Sequence, residues 1–150
     1  MHCLAKKNII IAISGSIAAY KSAELIRLLK KTGSQVKVVI TRGGSAFITP
    51  LTLQALSGNS VHEHLLDPNA ESGMGHIQLA RWADVLLIAP ASANIIARLA
   101  SGMADDLLTS LSLVTQSPVL LAPAMNRSNA YLTILFFILM ISCFSSLPPA

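Results

Sequence analysis

The stretch Asn8–Leu25, NIIIAISGSIAAYKSAEL, decides the fold. Five apolar and mostly β-branched residues, Ile9 to Ile13, run without a polar interruption and stop at Ser-Gly-Ser. A continuous run of that length reads as a strand covered on both faces, Asn8–Ser14, ending in a glycine turn. From Ile17 to Lys31 the period changes. Ala18, Leu25, Leu28 and Leu29 are apolar, while Lys21, Glu24, Arg27 and Lys31 are charged. That spacing predicts a helix with one wet face, closed by Gly33.

The same alternation continues along the chain. Gln35–Thr41 reads as a second strand. Ser45–Leu56 reads as a helix with a kink at Pro50, and Val61–Leu66 as a short strand. Asp67–Gly75 has the Pro, Asn, Ser and Gly content of a loop. Ile77–Ala83 is expected as a short helix and Val85–Ala89 as a strongly buried strand. Ala93–Ala100 is expected as a helix stopped by Gly102. Asp106–Val114 is a further helix, with Asp105 as its cap, and Val119–Ala122 a last strand. Apolar strands alternating with amphipathic helices predict a three-layer α/β/α fold around a parallel sheet. In such folds ligands bind outside the carboxyl ends of the strands.

Composition narrows the partners. The 150 residues carry eleven Lys and Arg against seven Asp and Glu, a net charge of +4. The bases are scattered, with no long run and no interleaved aromatic platform, which argues against nucleic acid. Two cysteines near opposite ends form neither a disulfide framework nor a metal-ligand pattern and suit a reducing cytoplasm. His2, His62, His64 and His76 lack metal spacing, so no metal is expected. The apolar run after Lys6 and Lys7 is too short for a signal peptide.

Five strand-end clusters could carry chemistry. Gly15, Ser16 and Ile17 form a small turn at a helix start, where free N–H groups and the helix dipole favour an anion. The turn lacks the GxGxxG and Walker patterns, so one phosphate group fits it better than a dinucleotide or triphosphate. A plain tight turn capped by Ser16 is the alternative. Thr41 could bond a ligand and Phe47 could pack on a flat ring, though ordinary capping and a core phenylalanine would give the same pattern. Ser92, Ala93 and Asn94 leave room for a ligand and supply oriented hydrogen bonds. Arg98 reads as a helix-surface residue rather than a contact. His76 could serve as acid or base near neutral pH, or be a solvated loop histidine. Asn126, after Pro123, offers a donor and an acceptor to a carboxylate or amide, or is simply a turn residue.

Together, SGSIAAYKSAELIRLLKK, VKVVITRGGSAFITPLTLQALSGN, GHIQLARWADVLLIAPASANIIARLASGMADDLL and LLAPAMN resemble the flavin-dependent cysteine decarboxylases. The likeness is to those that act on phosphopantothenoylcysteine in coenzyme A synthesis. It implies a flavodoxin-like, Rossmann-like parallel sheet, bound FMN, a homo-oligomer based on trimers, and conversion of 4′-phospho-N-pantothenoylcysteine to 4′-phosphopantetheine. It also implies that Gly15, Ser16 and Ile17 hold the FMN phosphate. Thr41 and Phe47 would frame the flavin, with Ser92, Ala93 and Asn94 near the ring. His76 would be the catalytic acid or base, and Asn126 would bind substrate. Oxidation of the cysteinyl thiol to a thioaldehyde-like group gives the charge left by CO2 somewhere to go. Related alternatives are a peptide-cysteine decarboxylase and an FMN-binding regulatory or inactive fragment.

The resemblance stops at Asn126. The flavoprotein domain is therefore expected over residues 1–126, incomplete at its C-terminal end, with 127–150 as an atypical apolar tail. Cys143 lies among apolar residues without the glycines of the family's clamp, and takes no clamp role. Tyr131–Leu147 is seventeen uncharged residues, at the lower limit for a span. A frame-shifted remnant is preferred to a membrane anchor there.

Overall fold

The computed structural model describes residues 4–65 and 75–126. Expectations for Leu66 to Met74 and for the tail with Cys143 lie outside the described residues.

Strand β1 (Asn8–Ile13) is followed by a 3-10 turn (Ile17–Tyr20) and helix α1 (Lys21–Lys31). Then come β2 (Gln35–Ile40), α2 (Arg42–Ser45), α3 (Pro50–Ser57) and β3 (Val61–His62). The second part holds α4 (Gly75–Trp82), β4 (Val85–Ala91), α5 (Ala93–Ala100), α6 (Leu107–Val114) and β5 (Val119–Pro123). The strands pair in parallel in the order β3-β2-β1-β4-β5. The chain leaves β1 on one side and returns on the other, so the topological switch lies between β1 and β4.

Successive side chains of a strand point to opposite faces, and β1 supplies both cores. Ile10 and Ala12 pack with Val39, Leu86, Ile88, Leu79, Ile95, Leu108 and Leu111, beneath α4, α5 and α6. Ile9, Ile11 and Ile13 pack with Val36, Val38, Ile40, Ile26 and Leu53, beneath α1 and α3. This is the predicted three-layer arrangement, with a sheet covered on both faces. Each fully buried Ile or Leu contributes about 1.5–3 kcal/mol of transfer free energy.

Several boundaries differ from expectation, each for a local reason. The helix expected from Ile17 begins as a 3-10 turn, because the Ser16 hydroxyl accepts from Ala18 N–H and tightens the first residues. Pro50 does not kink a helix over 45–56. It sits at the start of α3, where its missing N–H costs nothing, and Thr49 caps it. The cap of α6 is Asp106 rather than Asp105. Asp106 and Thr109 exchange side-chain and backbone bonds as a capping box. Strand β4 runs two residues past Ala89, through a cis Ala89–Pro90 peptide. Strand β3 keeps only Val61 and His62.

Candidate functional site

Four chain turns meet at the carboxyl edge. Ser14 closes β1 and is 2% exposed. Its hydroxyl donates to the Pro90 carbonyl at 2.7 Å and accepts from Ser92 N–H at 2.9 Å. The Ser16 hydroxyl donates to the Ala124 carbonyl at 3.2 Å, while Ala124 N–H donates to the Ala91 carbonyl at 3.0 Å. The ends of β1, β4 and β5 are thus bonded to one another.

The turn after β2 is pressed against the same place. A Cβ on Gly15 would lie 3.1 Å from the Gly43 backbone, and one on Gly44 would lie 2.7 Å from the Ile13 carbonyl oxygen. Only glycine lets these two turns approach so closely. Thr41 caps α2, accepting from Gly44 N–H at 3.2 Å, and its hydroxyl donates to the Ile13 carbonyl at 3.3 Å.

The N–H groups of Gly15, Ser16 and Ile17 have no acceptor among the described residues. They stand at the start of the 3-10 turn leading into α1, a setting that favours negative charge. Ser92 caps α5 through Ile95 N–H, so Ala93 and Asn94 form its first turn with the same polarity. Asn94 is exposed and its side chain makes no hydrogen bond among the described residues. Ile17 and Phe47 are 74% and 48% exposed, so Phe47 is not a core phenylalanine. Small residues and N–H groups with no acceptor among the described residues suit a phosphorylated cofactor. The cradle fits FMN.

His76 lies inside helix α4 rather than on a loop before it. The far end of that helix is fixed near the amino end of β1, where Asn8 Nδ2 donates to the Trp82 carbonyl at 3.0 Å. His76 lies six residues before that anchored end, about 9 Å along the helix axis. Its Nδ1 is buried and has no hydrogen-bond partner among the described residues. Asn126 is exposed just beyond β5, two residues from the carbonyl that Ser16 holds. The structure therefore brings together the turns carrying Gly15, Ser16, Ile17, Thr41, Ser92, Ala93, Asn94 and Asn126. None of them hydrogen-bonds His76.

Arg98 is committed elsewhere. Its guanidinium pairs with Asp105 and, at 2.8 Å, with Asp106. Hydrogen bonding to Asp105 holds its pKa above the ordinary arginine value. A cleft of about 480 Å³ opens beside Thr41, lined also by Arg42, Ser45, Glu63, His64 and Asp105. Sequence reasoning missed the structural work of Ser14, Ser22 and Gly44. The available signal was a serine ending an unbroken apolar strand and a paired glycine after the next one.

The flavoprotein family matches residues 1–134. The coenzyme A biosynthesis bifunctional protein CoaBC of Haemophilus influenzae is 60% identical over 121 residues, covering 81% of this chain and 30% of that protein. Its Escherichia coli counterpart is 53% identical over 124 residues, with 83% and 30% covered. The chain thus spans about a third of the length of these curated relatives. A PPC decarboxylase C175S mutant, solved with pantothenoylaminoethenethiol, superimposes with a TM-score of 0.73 at 30% identity, covering 90% of this chain and 79% of that one. The FMN-dependent cysteine decarboxylase SpaF gives 0.81 at 29% identity, covering 91% and 81%. With the strand-end motifs and the parallel sheet in agreement, the chain belongs to the flavoprotein family, in the group that contains the phosphopantothenoylcysteine decarboxylases.

Proposed function

We propose that the chain binds FMN at the carboxyl ends of β1, β2 and β4. There it decarboxylates 4′-phospho-N-pantothenoylcysteine to 4′-phosphopantetheine, a step of coenzyme A biosynthesis. The observation that carries this reading is the run of three N–H groups, Gly15 to Ile17, with no acceptor among the described residues, bonded through Ser14 to the Ser92 turn. We take residues 1–126 as the FMN-binding domain.

In this reading Gly15, Ser16 and Ile17 hold the phosphate through backbone N–H groups. Thr41 keeps the second turn in place, and Phe47 offers a face to the flavin ring. Ser92, Ala93 and Asn94 bind the ring's polar edge. When bound, FMN supplies the two-electron chemistry that activates the cysteinyl group for loss of CO2 and is reversed afterwards. Asn126 holds the substrate by its carboxylate or amide. His76 moves a proton at Nε2, because Nδ1 is buried. The small-molecule substrate is joined by a second kind of partner. The family likeness points to a homo-oligomer based on trimers, and the exposed Ile17 side chain gives a neighbouring copy apolar surface to cover. No helix among the described residues is long and apolar enough to cross a membrane. A phosphorylated substrate and scattered cysteines suit the cytoplasm.

The test is incubation of the FMN-loaded full chain with phosphopantothenoylcysteine, following CO2 and thiol product. CO2 release supports the reading. Release from a peptide ending in cysteine, with none from phosphopantothenoylcysteine, would transfer the activity to the peptide decarboxylases. FMN binding with neither activity would leave a flavin-binding regulatory role.

A further inference from the structure

Ser14 interrupts the apolar pattern of β1 at its last step, where it is as buried as the isoleucines before it. Its position opposite β4 is unusual. Pro90 has no N–H to offer the sheet, and the β4–β5 register shifts between Ile88 and Ala91. Pairing with β5 resumes at Ala91, opposite Pro123, so Pro90 before it and Ser92 after it are not themselves held by the β4–β5 ladder. Ser14 bonds both of them, with three bonds. Its N–H and hydroxyl both donate to the Pro90 carbonyl, at 3.2 and 2.7 Å, and its oxygen accepts from Ser92 N–H at 2.9 Å. Ser92 then caps α5 and sets the direction of Ala93 and Asn94.

We propose that Ser14 is a positioning residue for the cofactor site. It fixes the Ser92–Asn94 turn against the Gly15–Ile17 turn, so the two halves of the cradle keep one spacing. This inference rests on the FMN reading above. A hydroxyl that only stabilised the fold would leave cofactor affinity unchanged when removed. Ser22 provides that comparison. It too is 2% exposed, and its hydroxyl donates to the Ala89 carbonyl at 2.8 Å, but it bonds no residue of either turn. Ser14→Ala and Ser22→Ala each take the side-chain donor from a buried carbonyl. Only Ser14→Ala also releases Ser92 N–H.

The experiment titrates FMN into the full chain, wild type and both variants, by quenching of flavin fluorescence, with thermal unfolding of the flavin-free proteins in parallel. Both variants should unfold at lower temperature. Ser14→Ala should bind FMN roughly tenfold more weakly, about one lost hydrogen bond with a part-buried donor left unpaired. Ser22→Ala should stay within about twofold of wild type, an effect of a few tenths of a kcal/mol. Should Ser14→Ala fail to fold, Ser14→Cys keeps the size with a weak donor and should bind with intermediate affinity. Equal FMN affinity in the Ser14 and Ser22 variants, with wild type binding well, overturns the positioning role alone. Absence of FMN binding by wild type overturns the FMN reading and this inference with it.

Discussion

The Ser16 hydroxyl donates to the carbonyl of Ala124 at 3.2 Å, joining residues 108 positions apart. Ser16 begins the phosphate turn and Ala124 precedes Asn126, so one hydrogen bond ties the cofactor turn to the segment proposed to hold substrate. The same oxygen accepts from Ala18 N–H at 3.3 Å. Ser16→Ala removes both bonds. It should lower stability by about 1 kcal/mol and weaken FMN binding several-fold. Urea unfolding and an FMN titration measure the two effects separately. Unchanged FMN affinity would show that the proposed cradle does not depend on this clasp.

Gly44 and Gly33 should respond differently to alanine. At Gly44 the new methyl would meet the Ile13 carbonyl at 2.7 Å and Ile40 Cγ1 at 2.8 Å, both within the core. The backbone must shift, at a cost of about 1–3 kcal/mol or more. At Gly33 there is open space, and the penalty is the positive φ of 84° alone, about 1 kcal/mol. Denaturant midpoints should rank wild type above Gly33→Ala, and Gly33→Ala above Gly44→Ala. The reverse order would mean that the β1 and β2 turns do not approach as described.

His76→Asn should separate binding from chemistry. The side chain bonds none of the cradle residues, so the variant should keep its yellow colour and FMN affinity within about threefold. Proton transfer at Nε2 is lost, and decarboxylation should fall at least about a hundredfold. Turnover that persists would remove His76 from the mechanism. Loss of colour would instead make it a cofactor ligand.

Acid should destabilise the fold through two carboxylates. Asp84 accepts from Asn8 N–H at 2.8 Å, and that bond, aided by Lys7, holds its pKa below the ordinary value. Hydrogen bonding from Arg98 does the same for Asp105. Because these folded-state values lie below the unfolded ones, the stabilisation is complete above the unfolded pKa of about 4. It is lost as pH falls through the folded values. Urea midpoints should therefore drop below about pH 4. Asp84→Asn should flatten that drop while lowering stability at neutral pH. An unchanged acid limb would show that Asp84 does not contribute to it.

Much of this was legible because a strand covered on both faces leaves a plain trace. Ile9–Ile13 and Val85–Ala89 could not be amphipathic, and each was followed by small polar residues, which placed the site at the strand ends. Helix starts were harder to read. Asp105 and Asp106 are both good caps, and only Thr109, three residues after Asp106, distinguishes the capping box. Pro50 reads equally as a kink or as a first helical residue until Thr49 is seen to cap it. Ser14 and Gly44 were opaque for another reason. Their roles depend on Pro90, Ser92 and Ile13, which are brought near by sheet order and not by spacing along the chain. His76 was identified by residue type, but its burial at Nδ1 follows from packing around α4.

The most direct test compares FMN with riboflavin in titrations of the purified full chain. The two share the flavin ring and differ by the phosphate that Gly15, Ser16 and Ile17 are proposed to hold. Saturable binding of one FMN per chain, with riboflavin at least about tenfold weaker, is the predicted result. Equal affinity for the two, or no saturable binding of FMN, would contradict the account.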